Sequence, residues 1–320
     1  MPSMLRRLLH SAFAFVPFLA AAAAQTAPRA PIPTIASSWW QIAGNPNLGP
    51  LQNPLQEPVD FAIWQAADGT WQLWSCIRHT SVGGATRLFH RWQANQLTDT
   101  NWTPLGVALL ADPAFGEIPG GLQAPHVFRA NGYFYMIYGD FLRICMLRST
   151  DGKNFTRMKN EIGQPNLFDG PWINVRDPMV LRVGALHLCY YTSSPPAGAT
   201  QAAVFLRTSF DLKEWSQPMV VSAGGAASVP INLFDAECPF VVERNGWYYL
   251  FRNQTYGANA QNTQYASKNP FDFGVDDDKY RLGTLPVAAP EIVLHQGHWY
   301  IAALNPMLDG IRLARLNWVP

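Results

Sequence analysis

Apolar and polar positions along this chain alternate in short runs, and the runs come in pairs. Five segments share the outline: VDFAIWQAADGTWQLWSC, QAPHVFRANGYFYMIYGD, RDPMVLRVGALHLCYYTS, ECPFVVERNGWYYLFRN and APEIVLHQGHWYIAAL. In each, an alternating run of strand length reaches a glycine, at Gly69, Gly132, Gly184, Gly246 or Gly297, and a second aromatic-rich run follows. Period-two alternation broken by Asp-Gly or Asn-Gly predicts a β-hairpin. Third strands follow as TRLFHRW, RICMLRST, AAVFLRTS, TQYASKN and IRLARLNW. The stretches STDGKNF and TSFDLKEW repeat one turn pattern after two of them.

The hairpins align on Phe61, Pro125, Pro178, Pro239 and Pro290, at steps of 64, 53, 61 and 51 residues. That spacing is too long for one hairpin and suits a four-stranded blade with loops. Five such units predict an all-β, five-bladed β-propeller, because a single blade cannot bury both faces. A β-sandwich with similar hairpins is the alternative, but it gives no reason to restart one hairpin at this interval. The 26 prolines and 24 glycines argue against long helices.

Composition adds limits. Of 320 residues, 48% are hydrophobic and 14% charged, with a formal net charge of +1 and no basic tract, which gives no electrostatic case for nucleic acid. Residues 1–24 read as a secretory signal peptide, with Arg6 and Arg7 before an apolar stretch and small residues at Ala22 to Ala24. Residues 25–37 read as a flexible leader, and 38–320 as a single propeller domain. This predicts a secreted or periplasmic protein without membrane insertion, a monomer or weak oligomer. Cys76, Cys145, Cys189 and Cys238 allow up to two disulfides or remain small buried thiols.

The innermost strand of a propeller blade lines the central channel, so the starts of the five inner strands meet at one mouth. The residue before each aligned position is Asp60, Ala124, Asp177, Cys238 or Ala289, and Glu237 stands one place earlier in blade four. Three blades therefore offer carboxylates and two offer alanine. Structural need repeats in every blade, whereas chemistry does not. Carboxylates gathered at one cavity suit glycosidic cleavage, which uses a proton donor and a second carboxylate. Crowding and burial hold one of them protonated at neutral pH.

These motifs resemble the five-bladed propeller glycoside hydrolases: arabinanases, β-xylosidases and arabinofuranosidases, with invertases and levansucrases as relatives. The residues that carry the resemblance are RDP at 176–178, ECP at 237–239 and the blade outline. It implies a hydrolase acting on a furanoside or pentose-containing glycan, with oligo- or polysaccharide as partner. Asp60 is then the general base, Asp177 the residue that tunes and orients the acid, and Glu237 the general acid. In invertase-like relatives the first acid is a nucleophile, and the motifs do not separate the two mechanisms. A non-catalytic carbohydrate-binding propeller, or a retaining transglycosylase or phosphorylase, are the alternative readings.

Blade one departs from the family pattern. It reads QEPVDFAI, so Glu57 before Pro58 competes with Asp60 before Phe61. Asp60 lies nine residues before its turn glycine and aligns Ile63 with Val127, Val180, Val241 and Ile292, whereas Glu57 lies twelve before it. Asp60 is the better register. NDPNG is absent, which counts against sucrose or fructan.

Other candidates stand beside a structural reading. Trp172 leads into the blade-three acid and is either a sugar platform or packing. His126 follows Pro125 near the mouth and suits a sugar hydroxyl. Arg176 adjoins Asp177 and suits a bidentate brace. Arg252 within an aromatic strand calls for a buried carboxylate or a substrate hydroxyl. No cofactor is required. The resemblance admits a structural calcium or sodium ion in the channel, with His295 or His298 as its ligand, although neither matches by spacing.

Overall fold

A computed structural model describes residues 29–160, 163, 166–195, 201–229 and 234–320, and the expected signal peptide lies outside them. The described strands form five antiparallel sheets, one per expected blade. Blade one runs Glu57–Gln65, Trp71–Arg78, Leu88–Ala94 and Thr103–Leu109. Blade two runs Gln123–Ala130, Tyr133–Gly139 and Arg143–Ser149, with Thr156–Arg157 and Asn166–Asp169 both paired to its third strand. Blade three runs Ile173–Val183, Leu186–Ser194, Ala203–Ser209 and Met219–Ala223. Blade four runs Glu237–Arg244, Trp247–Thr255, Gln261–Ser267 and Arg281–Leu285. Blade five has Glu291–His295, His298–Leu304 and Gly310–Val319. Among the described residues no helix is long and apolar enough to cross a membrane.

The hairpin turns explain the glycines. Asn131–Gly132, Asn245–Gly246 and Gln296–Gly297 all have positive φ at both central positions, between 48° and 81°. Such turns match the twist of the flanking strands and favour asparagine and glycine.

Blade five is completed from the other end of the chain. Ile32–Ile35 pairs antiparallel with Leu316 to Val319, and Trp40–Gly44 pairs with Gly310 to Leu313. Residues 25–37 are therefore not a leader throughout: within that stretch, Ile32–Ile35 is the outer strand of the last blade. Its backbone groups satisfy an edge that would otherwise stay open. Trp40 lies in the second closing strand, and Trp39 carries the Arg312 guanidinium 4.3 Å from its ring centre. Both tryptophans belong to the ring closure.

Apolar side chains fill the gaps between blades. Trp74, Phe89 and Tyr138 pack between blades one and two, and Tyr249, Phe251 and Ile301 between blades four and five. Turn residues hook neighbouring blades together: Trp64 Nε1 of blade one donates to the Gly152 carbonyl of blade two at 2.8 Å. All four cysteines are free thiols. Cys76, Cys145 and Cys189 are buried apolar packing, and only Cys238 is part-exposed.

Candidate active site at the channel mouth

One backbone distortion builds the mouth. Asp60, Ala124, Asp177, Cys238 and Ala289 have φ of 35°, 44°, 57°, 47° and 47°. None is glycine, and the left-handed region costs such residues about 1–2 kcal/mol each. Ladder pairing slips at this point in blades one to four. The result is a β-bulge, which re-aims a side chain that plain alternation would turn elsewhere. Consecutive residues then line one cavity: Asp60 and Phe61, Ala124 to His126, Asp177 to Met179, Cys238 to Phe240, and Ala289 to Glu291. It offers about 30 Å³ of space to water.

The bulge also decides between the two blade-one acids. Asp60 shares the left-handed conformation of its four counterparts. Glu57 accepts a 2.7 Å ion-pair contact from Arg78 Nε, lies 3.6 Å from His79 Nδ1, and is not part of the cavity lining. Asp140 caps the turn at Leu142 and Arg143.

Asp60 and Asp177 meet Cys238 with one ligand atom of each within 4.8 Å of the others. The Cys238 thiol donates to Asp60 Oδ1 at 3.2 Å and lies 3.2 Å from the Tyr256 hydroxyl, while the Cys238 backbone N–H donates to Asp177 Oδ2 at 3.0 Å. Burial pushes Asp60 above the ordinary carboxylate value, and the charge of Glu237 adds to the rise. Burial likewise raises Asp177, opposed by the Arg176 guanidinium and reinforced by Asp60 and Glu237. Each of these carboxylates feels the charge of the others, so their protons belong to the group rather than to single residues.

Glu237 sits beside this group, 8% exposed, held by Arg176. Arg176 Nε and a terminal guanidinium nitrogen both reach Glu237 Oε1, at 2.7 Å and 2.5 Å. The third nitrogen donates to the Asn174 carbonyl and to Ser194 Oγ. Arg176 Nε stands 3.6 Å from Asp177 Oδ2. The expected brace thus falls first on Glu237 and only second on its neighbour Asp177.

The substrate-hydroxyl reading of Arg252 is wrong. The side chain is fully buried, donating to the Asp235 carbonyl at 2.6 Å, Ser222 Oγ at 3.2 Å and Ser228 Oγ at 2.7 Å. A guanidinium without solvent access meets no substrate, so this arginine holds loops of blades three and four. Trp172 is half-buried, its ring edge-on to Phe205 at 4.8 Å and outside the cavity lining, on the packing side of the alternatives. His126 does line the cavity, with Nδ1 3.7 Å from Glu291 Oε1.

The expected ion ligands lie elsewhere. His295 packs edge-on against Trp71 at 4.9 Å, and His298 is exposed beside the blade-five turn. Calcium takes six to eight oxygen donors and sodium also favours oxygen. Asp60, Asp177 and Cys238 supply two carboxylates and a thiol, and burial raises that thiol well above its ordinary pKa. A protonated thiol is a poor partner for a hard cation, so this donor set does not fit calcium or sodium.

Three participants escaped the sequence reading. Tyr256 gave no signal, because its approach to Cys238 depends on how blade four curls. The position of Cys238 at the mouth was legible from the repeat, but its contacts with Asp60 and Tyr256 were not. Glu291 was detectable: two places beyond the bulge, the five blades carry Ala62, His126, Met179, Phe240 and Glu291.

No protein-family model and no curated protein sequence matches the chain. Solved structures do. A thermostable family-43 glycoside hydrolase superposes with a TM-score of 0.62 at 16% identity, covering 83% of this chain and 91% of that one. An endo-arabinase from Bacteroides thetaiotaomicron gives 0.62 at 13% identity, covering 82% and 94%. A family-32 β-fructofuranosidase from Bombyx mori gives 0.59 at 16% identity, and there this chain spans 85% of itself and 61% of its counterpart. The fold is a five-bladed β-propeller of the kind seen in glycoside hydrolase families 43 and 32.

Proposed function

We propose that this protein is an exported glycoside hydrolase acting on a furanoside or pentose-containing glycan. The observation that carries the reading is the approach of three carboxylates from three blades: Asp60 and Asp177 line the channel mouth, and Glu237, beside that lining, is near enough for its charge to raise both. Glu237 is the general acid, Asp60 the general base, and Asp177 the residue that sets the charge around them. The cavity beside Asp60 has room for water. That supports direct attack by water on the anomeric carbon, with inversion.

In such a reaction Asp60 takes a proton from the attacking water as its oxygen bonds to the anomeric carbon. Glu237 gives a proton to the departing glycosidic oxygen as that bond breaks. Before this donation Glu237 must leave Arg176 and take up a proton from solvent, and Asp177 Oδ2, 3.6 Å from the same Nε, is the guanidinium's alternative partner. Asp177 then acts by exchanging the guanidinium. Fold resemblance to the arabinase and family-43 structures supports the pentose class.

One observation favours a second reading. An arginine occupies Glu237, as a non-catalytic carbohydrate-binding propeller would have it. Arabinosyl, xylosyl, galactosyl and fructosyl substrates separate the two, with Glu237→Gln as control. Turnover that is lost in a folded Glu237→Gln variant, with an inverted product anomer by NMR, supports the hydrolase. Saccharide binding without turnover supports the binding protein, and turnover unchanged by the substitution overturns the assigned acid.

A further inference from the structure

Directly below the bulge, the channel wall carries two polar side chains, His126 from blade two and Glu291 from blade five, where blades three and four carry Met179 and Phe240. Each of the polar pair is 8% exposed. A lone carboxylate in such a place is costly unless something satisfies it. Two groups do so. Glu291 Oε2 accepts the Ile63 backbone N–H at 3.3 Å, and Glu291 Oε1 faces His126 Nδ1 at 3.7 Å. Ile63 lies on the blade-one strand Glu57–Gln65, three residues past Asp60. The inner edge of that strand has no neighbouring strand, so its N–H groups need partners from elsewhere. Glu291 supplies one and ties blade five to the strand that presents Asp60. His126, whose buried Nδ1 has no hydrogen-bond partner among the described residues and stands 3.7 Å from Glu291 Oε1, faces it from blade two.

We propose that Glu291 and His126 are a positioning pair, a side-chain tie across the channel that fixes Asp60 through the Ile63 backbone. The kinetic consequence rests on the hydrolase reading, but the placement of Asp60 does not. Glu291→Gln keeps an acceptor for Ile63 and a contact for His126, whereas Glu291→Ala loses both.

Two readouts test the tie. On a substrate that the wild type turns over, Glu291→Ala lowers kcat about tenfold with KM within about twofold, and Glu291→Gln restores most of the loss. Independently of turnover, the Cys238 thiol touches Asp60 Oδ1 and is the one part-exposed cysteine. Its alkylation by iodoacetamide, located by peptide mass, is expected to change at least about threefold in Glu291→Ala and to return toward wild type in Glu291→Gln. Alkylation alike in all three folded proteins overturns the proposal. So does a glutamine variant as impaired as the alanine variant. A wild type that turns over no glycan sinks the hydrolase reading instead and leaves the alkylation result to decide.

Discussion

The Cys238 thiol points at Asp60 Oδ1 from 3.2 Å, across the channel from blade four to blade one. That contact lowers the Asp60 pKa against the larger raising effect of burial. Cys238→Ala removes the donor, so Asp60 stays protonated to higher pH. The acid limb of the kcat/KM profile should move upward, with a loss of about fivefold at low pH, the cost of one hydrogen bond. Cys238→Ser keeps a donor and should move the limb less. A pH–rate series on the three proteins checks this.

Arg176 is almost wholly buried between two carboxylates. Removing one side of a buried ion pair leaves uncompensated charge. Arg176→Ala should therefore destabilise the fold by about 3–5 kcal/mol, read from urea unfolding at neutral pH. Arg176→Lys should rescue little, because an ammonium lacks the planar fork that reaches Glu237, Asn174 and Ser194 together.

Asp177 predicts a trade between stability and activity. Its folded pKa lies above the ordinary 3.8, with burial the largest cause. The folded state thus binds the proton more tightly than the unfolded chain. The sign follows: this group destabilises least below the unfolded value, and stability falls as pH rises toward the folded value. Asp177→Asn removes the penalty while keeping an acceptor for the Cys238 N–H. Its Tm at about pH 7 should exceed that of the wild type, with the gap closing near pH 3, while turnover is lost. Thermal melts across pH check the gap, and a wild type more stable at neutral pH would contradict the raised value.

Arg252→Ala should act on the fold alone. It leaves Ser222, Ser228 and the Asp235 carbonyl without their shared donor. A loss of about 2–4 kcal/mol is expected from such buried groups. The surviving folded protein should keep the wild-type KM, measured at low temperature.

Calcium should make no difference. The donor set at the mouth does not fit a hard cation, and Glu291 is engaged by Ile63 and His126. Melting temperatures with excess calcium and with chelator should agree within about 1 °C, whereas a saturable rise with calcium would show a site.

Much of this molecule was legible in the chain. Alternation, Asn-Gly turns and a recurring hairpin are local signals, and they determined five blades and the order of their strands. The alignment of Asp60 with Asp177 and Cys238 was also legible, because the repeat carries the same bulge into each blade. The start of blade five's last strand was not: Ile32–Ile35 becomes a strand only because the C-terminal strand returns to it. Local polarity could not show that pairing across nearly the whole chain.

Side-chain partners were decided by the tertiary structure alone. The sequence placed Arg176 beside Asp177, yet a strand sends neighbouring side chains to different faces, and the guanidinium reaches Glu237 sixty-one residues away. Arg252, unusual in an aromatic strand, suited either a buried partner or a substrate hydroxyl, and the closed ring buried it. What the sequence determines here is period, and period specifies blades. Which charges meet, which are hidden and which face water depends on distances between blades, and those exist only once the ring has closed.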